Sequence, residues 1–214
     1  MKRWLTLLPM AWLTVTPVAA ASRVTLGCEA GLSLASIAYD DSRYLPLPED
    51  QYGHTLWIRG GIRARLPLDS RWAIIGGLTY ESNGGDAEIT KDQVQTSRLE
   101  YATLPVALEI AVPTGNVRPF GRVGFEPGIL IDADTFLTVD GKRVGDSADT
   151  DDYYPSVEWT LSVTGGLRLR DRWDAHMAYR YGLTNLNDSL NREEHHFHNR
   201  GFALGVTYWF PGAG

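Results

Sequence analysis

Apolar residues recur at every second position along most of this chain, and almost nowhere at the three-to-four-residue spacing of an amphipathic helix. Eight such stretches stand out, over residues 25–38, 55–66, 71–80, 99–112, 117–131, 156–169, 173–183 and 200–210. Each is about 9 to 14 residues long, the length a tilted strand needs to cross a bilayer. In the second stretch Leu56, Ile58, Ile62, Ala64 and Leu66 share one face, and Arg59, Arg63 and Arg65 share the other. In the sixth, Val157, Trp159, Leu161, Val163, Leu167 and Leu169 oppose Glu158, Thr160, Ser162, Thr164 and Arg168. The seventh sets Trp173, Ala175, Met177, Tyr179, Tyr181 and Leu183 against Asp174, His176 and Arg180.

The connections sort by length. Those at 67–70, 113–116 and 170–172 are tight; those at 39–54, 81–98, 132–155 and 184–199 are long and polar. Short and long alternate strictly, leaving the first and last strands free to close the sheet. Short periplasmic turns and longer outer loops are the pattern of outer-membrane barrels. The pattern predicts an all-β, eight-stranded antiparallel up-and-down transmembrane β-barrel.

The charges select a membrane over water. Glu29, Arg59, Arg63, Arg65, Glu109, Arg118, Arg122, Glu126, Glu158, Arg168, Asp174 and Arg180 all fall opposite the apolar residues, as does His176. A barrel spanning hydrocarbon must turn its apolar face outward, and arginine on that face costs about 2–4 kcal/mol at mid-depth. A soluble, lipocalin-like barrel has the opposite sense, and alternation alone permits it. Aromatics favour the membrane: Trp72, Tyr80, Trp159, Trp173, Tyr181, Tyr208 and Phe210 lie near strand ends on the apolar face, where interfacial girdles sit. The interior of an eight-stranded barrel is just wide enough for side chains to fill. The predicted lumen is therefore a salt-bridged plug rather than a pore.

The N-terminus fits export. Lys2 and Arg3 precede a short apolar stretch, followed by small residues at 19–21. Residues 1–21 read as a cleavable signal peptide and 22–214 as the barrel domain. The apolar stretch is shorter than the ~20 residues of a spanning helix. Cys28 is the only cysteine, which rules out an intrachain disulfide, and it reads as a small apolar residue on a strand. The 22 glycines, seven tryptophans, ten tyrosines and six phenylalanines suit turn-rich β structure. A net charge of −6 argues against nucleic acid as a partner, because phosphate binding needs a basic face.

The second half resembles the PorT-like outer-membrane β-barrel proteins, often called the porin family. The stretches that carry the resemblance are Leu104-Pro105, Arg118-Pro119-Phe120-Gly121-Arg122-Val123-Gly124, Gly165-Gly166-Leu167, Tyr179-Arg180-Tyr181-Gly182-Leu183-Thr184-Asn185 and Asn199-Arg200-Gly201-Phe202 running on to Phe210. It covers residues 95–210, while residues 24–80 fit in pattern. The resemblance implies location and shape and brings no catalytic residues. The last strand, with Tyr208 and Phe210, looks like the signal read by outer-membrane assembly machinery.

Candidate chemistry is sparse. His176 shares a face with Asp174 and Arg180, and Ser162 and Ser156 are expected on the lumen side of the neighbouring strand, although no nucleophile motif surrounds either serine. Glu193-Glu194-His195-His196-Phe197-His198 brings metal-ligand types together on one loop, but adjacent histidines rarely complete a site unaided. Asp132, Asp134, Asp140, Asp146, Asp149, Asp151 and Asp152 lack the spacing of a calcium-binding loop. The expectation is a non-enzymatic, cofactor-free, monomeric scaffold or surface binding module. Its partners are outer-membrane lipid, the assembly machinery and a ligand met by loops 39–54, 81–98, 132–155 and 184–199. A rim enzyme acting on lipid or peptide through His176, and a narrow conduit for small solutes, are the alternatives.

Overall fold

The computed structural model describes residues 24–39, 52–90, 92–149, 154–186 and 197–211. The predicted signal peptide, the Glu193–His196 cluster and most of the 39–54 connection lie outside them.

Eleven strand segments form: β1 (Thr25–Tyr39), β2 (Tyr52–Gly53), β3 (Thr55–Pro67), β4 (Trp72–Thr90), β5 (Gln93–Thr103), β6 (Val106–Ala111), β7 (Val117–Val139), β8 (Lys142–Asp149), β9 (Val157–Leu169), β10 (Trp173–Gly182) and β11 (Phe197–Trp209). Both β5 and β6 pair with β4 on one side and β7 on the other, so together they make one stave. The stretch expected to be continuous over 99–112 is broken at Leu104-Pro105 because proline has no N–H to give the ladder. The ring then runs β1, β3, β4, β5/β6, β7, β9, β10, β11, antiparallel throughout. It closes where β11 returns to β1, from Gly27 opposite Trp209 to Tyr39 opposite Phe197. With β5 and β6 taken together, and β2 and β8 outside the ring, the barrel has eight staves.

The faces are inverted relative to a water-soluble protein. Ile58 and Ile62 are 65% and 62% exposed, while Glu109 and Asp174 are 0% exposed and Arg168 is 1%. Such a molecule is soluble only where the surroundings are hydrocarbon. There every backbone N–H and C=O must be paired, which a closed ring achieves. The lipid-facing run is bounded at one end by Trp72, Trp173 and Phe210 and at the other by Tyr80, Trp159 and Tyr181. Phe125 stacks on Trp159 with centroids 5.1 Å apart, and Tyr208 packs on Trp173 at 4.7 Å.

Two long connections expected as polar loops are mostly strand. Over 81–98, β4 runs on to Thr90 and β5 begins at Gln93, paired as far as Thr90 opposite Gln93. Over 132–155, β7 continues to Val139, turns at Asp140 and Gly141 (φ 50° and 72°) and returns as β8. Positive φ at both central residues is the hairpin turn that matches strand twist. With β2 on β4, these extensions form a sheet in the order β2, β4, β5, β7, β8 beyond the apolar belt. Outside the bilayer neither face need be apolar, so the period-two signal stops while the hydrogen-bond ladder does not. The short connections at 68–71, 112–116 and 170–172 stay short.

Arginine placed at Ile62 should destabilise the barrel by about 2–4 kcal/mol. Urea titration of heat-modifiable migration in lipid vesicles measures it, and an unchanged midpoint would contradict the outward placement of this face.

Candidate functional site: the charged lumen

The candidate site is the inner face of the ring, where alternation along seven staves delivers charge to one volume. At the short-turn end, Arg168 on β9 lies between two carboxylates. Its Nε donates to Asp174 Oδ1 at 2.8 Å, and its Nη1 and Nη2 donate to Glu109 at 3.0 and 2.9 Å. Arg122 on β7 bridges the same pair, donating to Glu109 Oε2 at 2.9 Å and Asp174 Oδ2 at 2.5 Å. Arg65 adds a third guanidinium to Glu109 at 3.0 Å. Beside this layer lies an apolar cluster of Trp209, Ala73 and Ile75 with Ala107 against it, Ala73 standing opposite Glu109 and Ile75 opposite Ala107. Phe120 packs beside it, with the Arg122 guanidinium 4.2 Å from its ring centroid.

In the middle, Glu29 on β1 accepts both arms of Arg63 at 2.8 Å each. It also meets Arg59 at 3.2 Å and the Thr207 hydroxyl at 3.3 Å. Towards the long-loop end, Arg180 on β10 joins Glu81 at 2.5 Å and Glu126 at 3.0 Å, while Glu158 accepts from the Asn199 amide at 3.0 and 3.1 Å. A second apolar cluster of Leu99, Tyr101, Ala133 and Leu186, flanked by Leu130 and Tyr154, lies towards this end.

Glu29, Glu81, Glu109, Glu126, Glu158 and Asp174 thus share the lumen with Arg59, Arg63, Arg65, Arg122, Arg168 and Arg180, one guanidinium for each carboxylate. Bidentate arginine forks suit this use because they satisfy both oxygens of a carboxylate in fixed geometry. Two cavities among the described residues of the lumen measure about 10 and 30 Å³, space for a water or two. Arg118 stands apart at the inner mouth, paired with Asp171 on the 170–172 turn.

His176 sits with a glycine facing it from each neighbouring strand, Gly205 on β11 and Gly166 on β9. A Cβ on Gly205 would come 2.6 Å from His176 Nε2, so the imidazole occupies room that those glycines leave. Its Nε2 lies 3.7 Å from Glu29, and its Nδ1 has no partner. The residues that could complete a nucleophilic relay are engaged elsewhere: Asp174 by Arg122 and Arg168, and Ser162 by Glu126. Ser156, expected in the lumen, is exposed ahead of β9, because the strand starts only at Val157. His198 lies on β11, 3.2 Å from the Thr184 carbonyl and stacked on Tyr181. The Tyr208 ring packs on Trp173, and Phe210 is half-exposed on the lipid face with its N–H donating to the Leu26 carbonyl at 2.8 Å.

Sequence reasoning leaves out Glu81, Asn199 and the two apolar clusters. Glu81 continues the inward parity of Ala73, Ile75, Gly77 and Thr79 on β4, so extending that alternation by one more step places it inside. Trp209 has the inward parity of β11, opposite to Tyr208 and Phe210.

A family model described as "Outer membrane protein beta-barrel domain" matches residues 17–188. No curated protein matches the chain. Among solved structures, it is similar to Neisserial surface protein A at 12% identity, covering 86% of this chain and 97% of that one with a TM-score of 0.47. It is similar to Ail of Yersinia pestis, in complex with the heparin analogue sucrose octasulfate, at 13% identity, with 87% and 99% covered and a TM-score of 0.43. The outer membrane enzyme PagL is similar at 13% identity, with 84% and 98% covered and a TM-score of 0.40.

Arg168→Met would leave Glu109 and Asp174 with Arg122 as their one remaining shared partner, at a cost of about 3–5 kcal/mol. Adding Glu109→Gln should recover part of that loss. A double-mutant cycle on unfolding midpoints reads the coupling, and strictly additive effects would refute it.

Proposed function

Because the chain belongs to the outer-membrane protein β-barrel domain family and resides in the outer membrane, we propose that its spanning part is a non-conducting scaffold and that its work is done by the sheet it carries past the bilayer. The observation behind this reading is a contrast within the same staves. Between the girdles they enclose a balanced charge network with cavities of about 10 and 30 Å³. Beyond them β4, β5 and β7 run on as paired strands, with β8 and β2 added at the sides. A filled lumen gives rigidity, and rigid staves hold an outer sheet in fixed register, which is how variable loops acquire specificity on a constant frame.

The same reading assigns Tyr208 and Phe210 to recognition by the assembly machinery. Both close β11 in the girdle at the short-turn end, where a strand presented late would still be reachable. A conduit for solutes is disfavoured by the arginine–carboxylate layers, among which the cavities measure about 10 and 30 Å³. Catalysis by His176 is disfavoured because Asp174 and Ser162 already have partners.

Purified protein in planar bilayers should give no unitary conductance steps, and regular steps would overturn the scaffold reading. Replacing residues 136–147 with a two-residue Asn-Gly turn should leave heat-modifiable migration intact while changing the adherence of cells displaying the protein. A barrel that no longer folds without that hairpin would show that the outer sheet is structural rather than functional.

A further inference from the structure

The two ends of the barrel differ in chemistry. Beyond the apolar belt on the long-hairpin side, Asp86, Glu88, Asp92, Glu100, Asp132, Asp134 and Asp140 outnumber Arg98, Lys142, Arg143 and Arg200. On the short-turn side the balance reverses, with Arg71, Arg118, Arg170 and Arg172 against Asp69 and Asp171.

Both acids on that rim are already committed. Asp69 Oδ1 accepts the backbone N–H groups of Arg71 and Trp72 at 2.7 Å each, and those donors hold its carboxyl below the usual carboxylate range. Asp171 pairs with Arg118. The exposed guanidiniums of Arg71, Arg170 and Arg172 have no salt-bridged carboxylate among the described residues.

These three are not loop-tip residues of arbitrary position, because each is tied by its backbone to a neighbouring strand or turn. The Arg71 carbonyl accepts from Ala111 at 2.8 Å and the Arg172 carbonyl from Trp209 at 2.7 Å. The Arg170 N–H donates to the Asn116 carbonyl at 2.9 Å. Arg71 and Arg172 each directly precede a lipid-facing tryptophan, Trp72 and Trp173, 37% and 49% exposed. Tryptophan of this kind sits at headgroup level. One residue of extended chain, about 3.3 Å, sets each arginine just outside it. Arg170 also occupies a left-handed backbone conformation, φ 48°, which asparagine or glycine adopts with less strain.

We propose that this rim binds the headgroup phosphates of anionic phospholipids in the inner leaflet, through Arg71 beside Trp72 and through Arg170 and Arg172 beside Trp173. Guanidinium forks match phosphate oxygens, and the short turns face the periplasmic leaflet, which is built of phospholipid.

The test uses the full folded chain in phosphatidylcholine vesicles containing a minority of phosphatidylglycerol. Spin-labelled phosphatidylglycerol and phosphatidylcholine then report the lipid in direct contact with protein. The unaltered protein should select phosphatidylglycerol, and selectivity should fall roughly fivefold for each arginine replaced by glutamine at low salt. Arg71→Lys/Arg170→Lys/Arg172→Lys should retain most of it, and Arg143→Gln on the outer hairpin should change nothing. Arg170→Asn should raise the unfolding midpoint by relaxing the turn while lowering phosphatidylglycerol selectivity, a pair of opposite signs that a purely structural arginine cannot produce. This single variant decides the matter if the triple glutamine variant does not fold. Undiminished selectivity in a folded glutamine triple, or an equal loss in Arg143→Gln, overturns the proposal.

Discussion

Hydrocarbon offers no hydrogen-bond partner, and from that one constraint most of this molecule follows. A sheet with an open edge would leave a column of N–H and C=O groups unpaired at several kcal/mol each. The return of β11 onto β1 removes that edge. Closure in turn creates an inside, and a period-two strand has no other place for side chains that lipid rejects. The arginines are therefore inside because the wall is closed. The carboxylates are inside because unpaired arginines there would be worse than none.

The lumen solves its own crowding problem with glycine and apolar clusters. Twelve charged side chains in layers leave little space, and inward-facing glycines such as Gly205 and Gly166 supply it where His176 projects. Apolar clusters of Trp209, Ala73 and Ile75 and of Leu99, Tyr101, Ala133 and Leu186 pack among the charged side chains, most of which are buried. Low dielectric strengthens each pair, and it also makes each one intolerant of losing a partner. The network is thus a source of rigidity and register more than of net stability, since buried ion pairs roughly break even against well-packed apolar side chains.

Legibility in the sequence follows the same physics. Wherever lipid lies on one side and charge on the other, alternation is forced, and residues such as Arg63, Arg122 and Arg180 can be assigned to the lumen without coordinates. The signal disappears where that contrast ends. Residues 82–90 and 132–139 are strands in water and read as loops, and Glu81 reads as part of the loop although its parity belongs to β4. Which arginine meets which carboxylate was not legible either. That depends on the stagger between staves, and Arg168 reaches Glu109 across 59 positions of sequence only because of it. Trp209 and Phe120 are hidden for a different reason: an aromatic on the inner face breaks the rule that inside means polar, and only a facing glycine, Gly27 for Trp209 and Gly166 for Phe120, makes room for it.

A filled, closed cylinder has only its two ends left with which to meet anything other than acyl chains. At one end the strands outlast the bilayer and carry carboxylates into water on a paired, hence ordered, sheet. At the other the chain reverses within a few residues, and two of the three turns bring arginine to the rim, in excess over Asp69 and Asp171. Short turns with positive charge and long hairpins with negative charge therefore need no separate explanations. The first can address only the membrane surface directly beneath them, and the second can address only what lies beyond it.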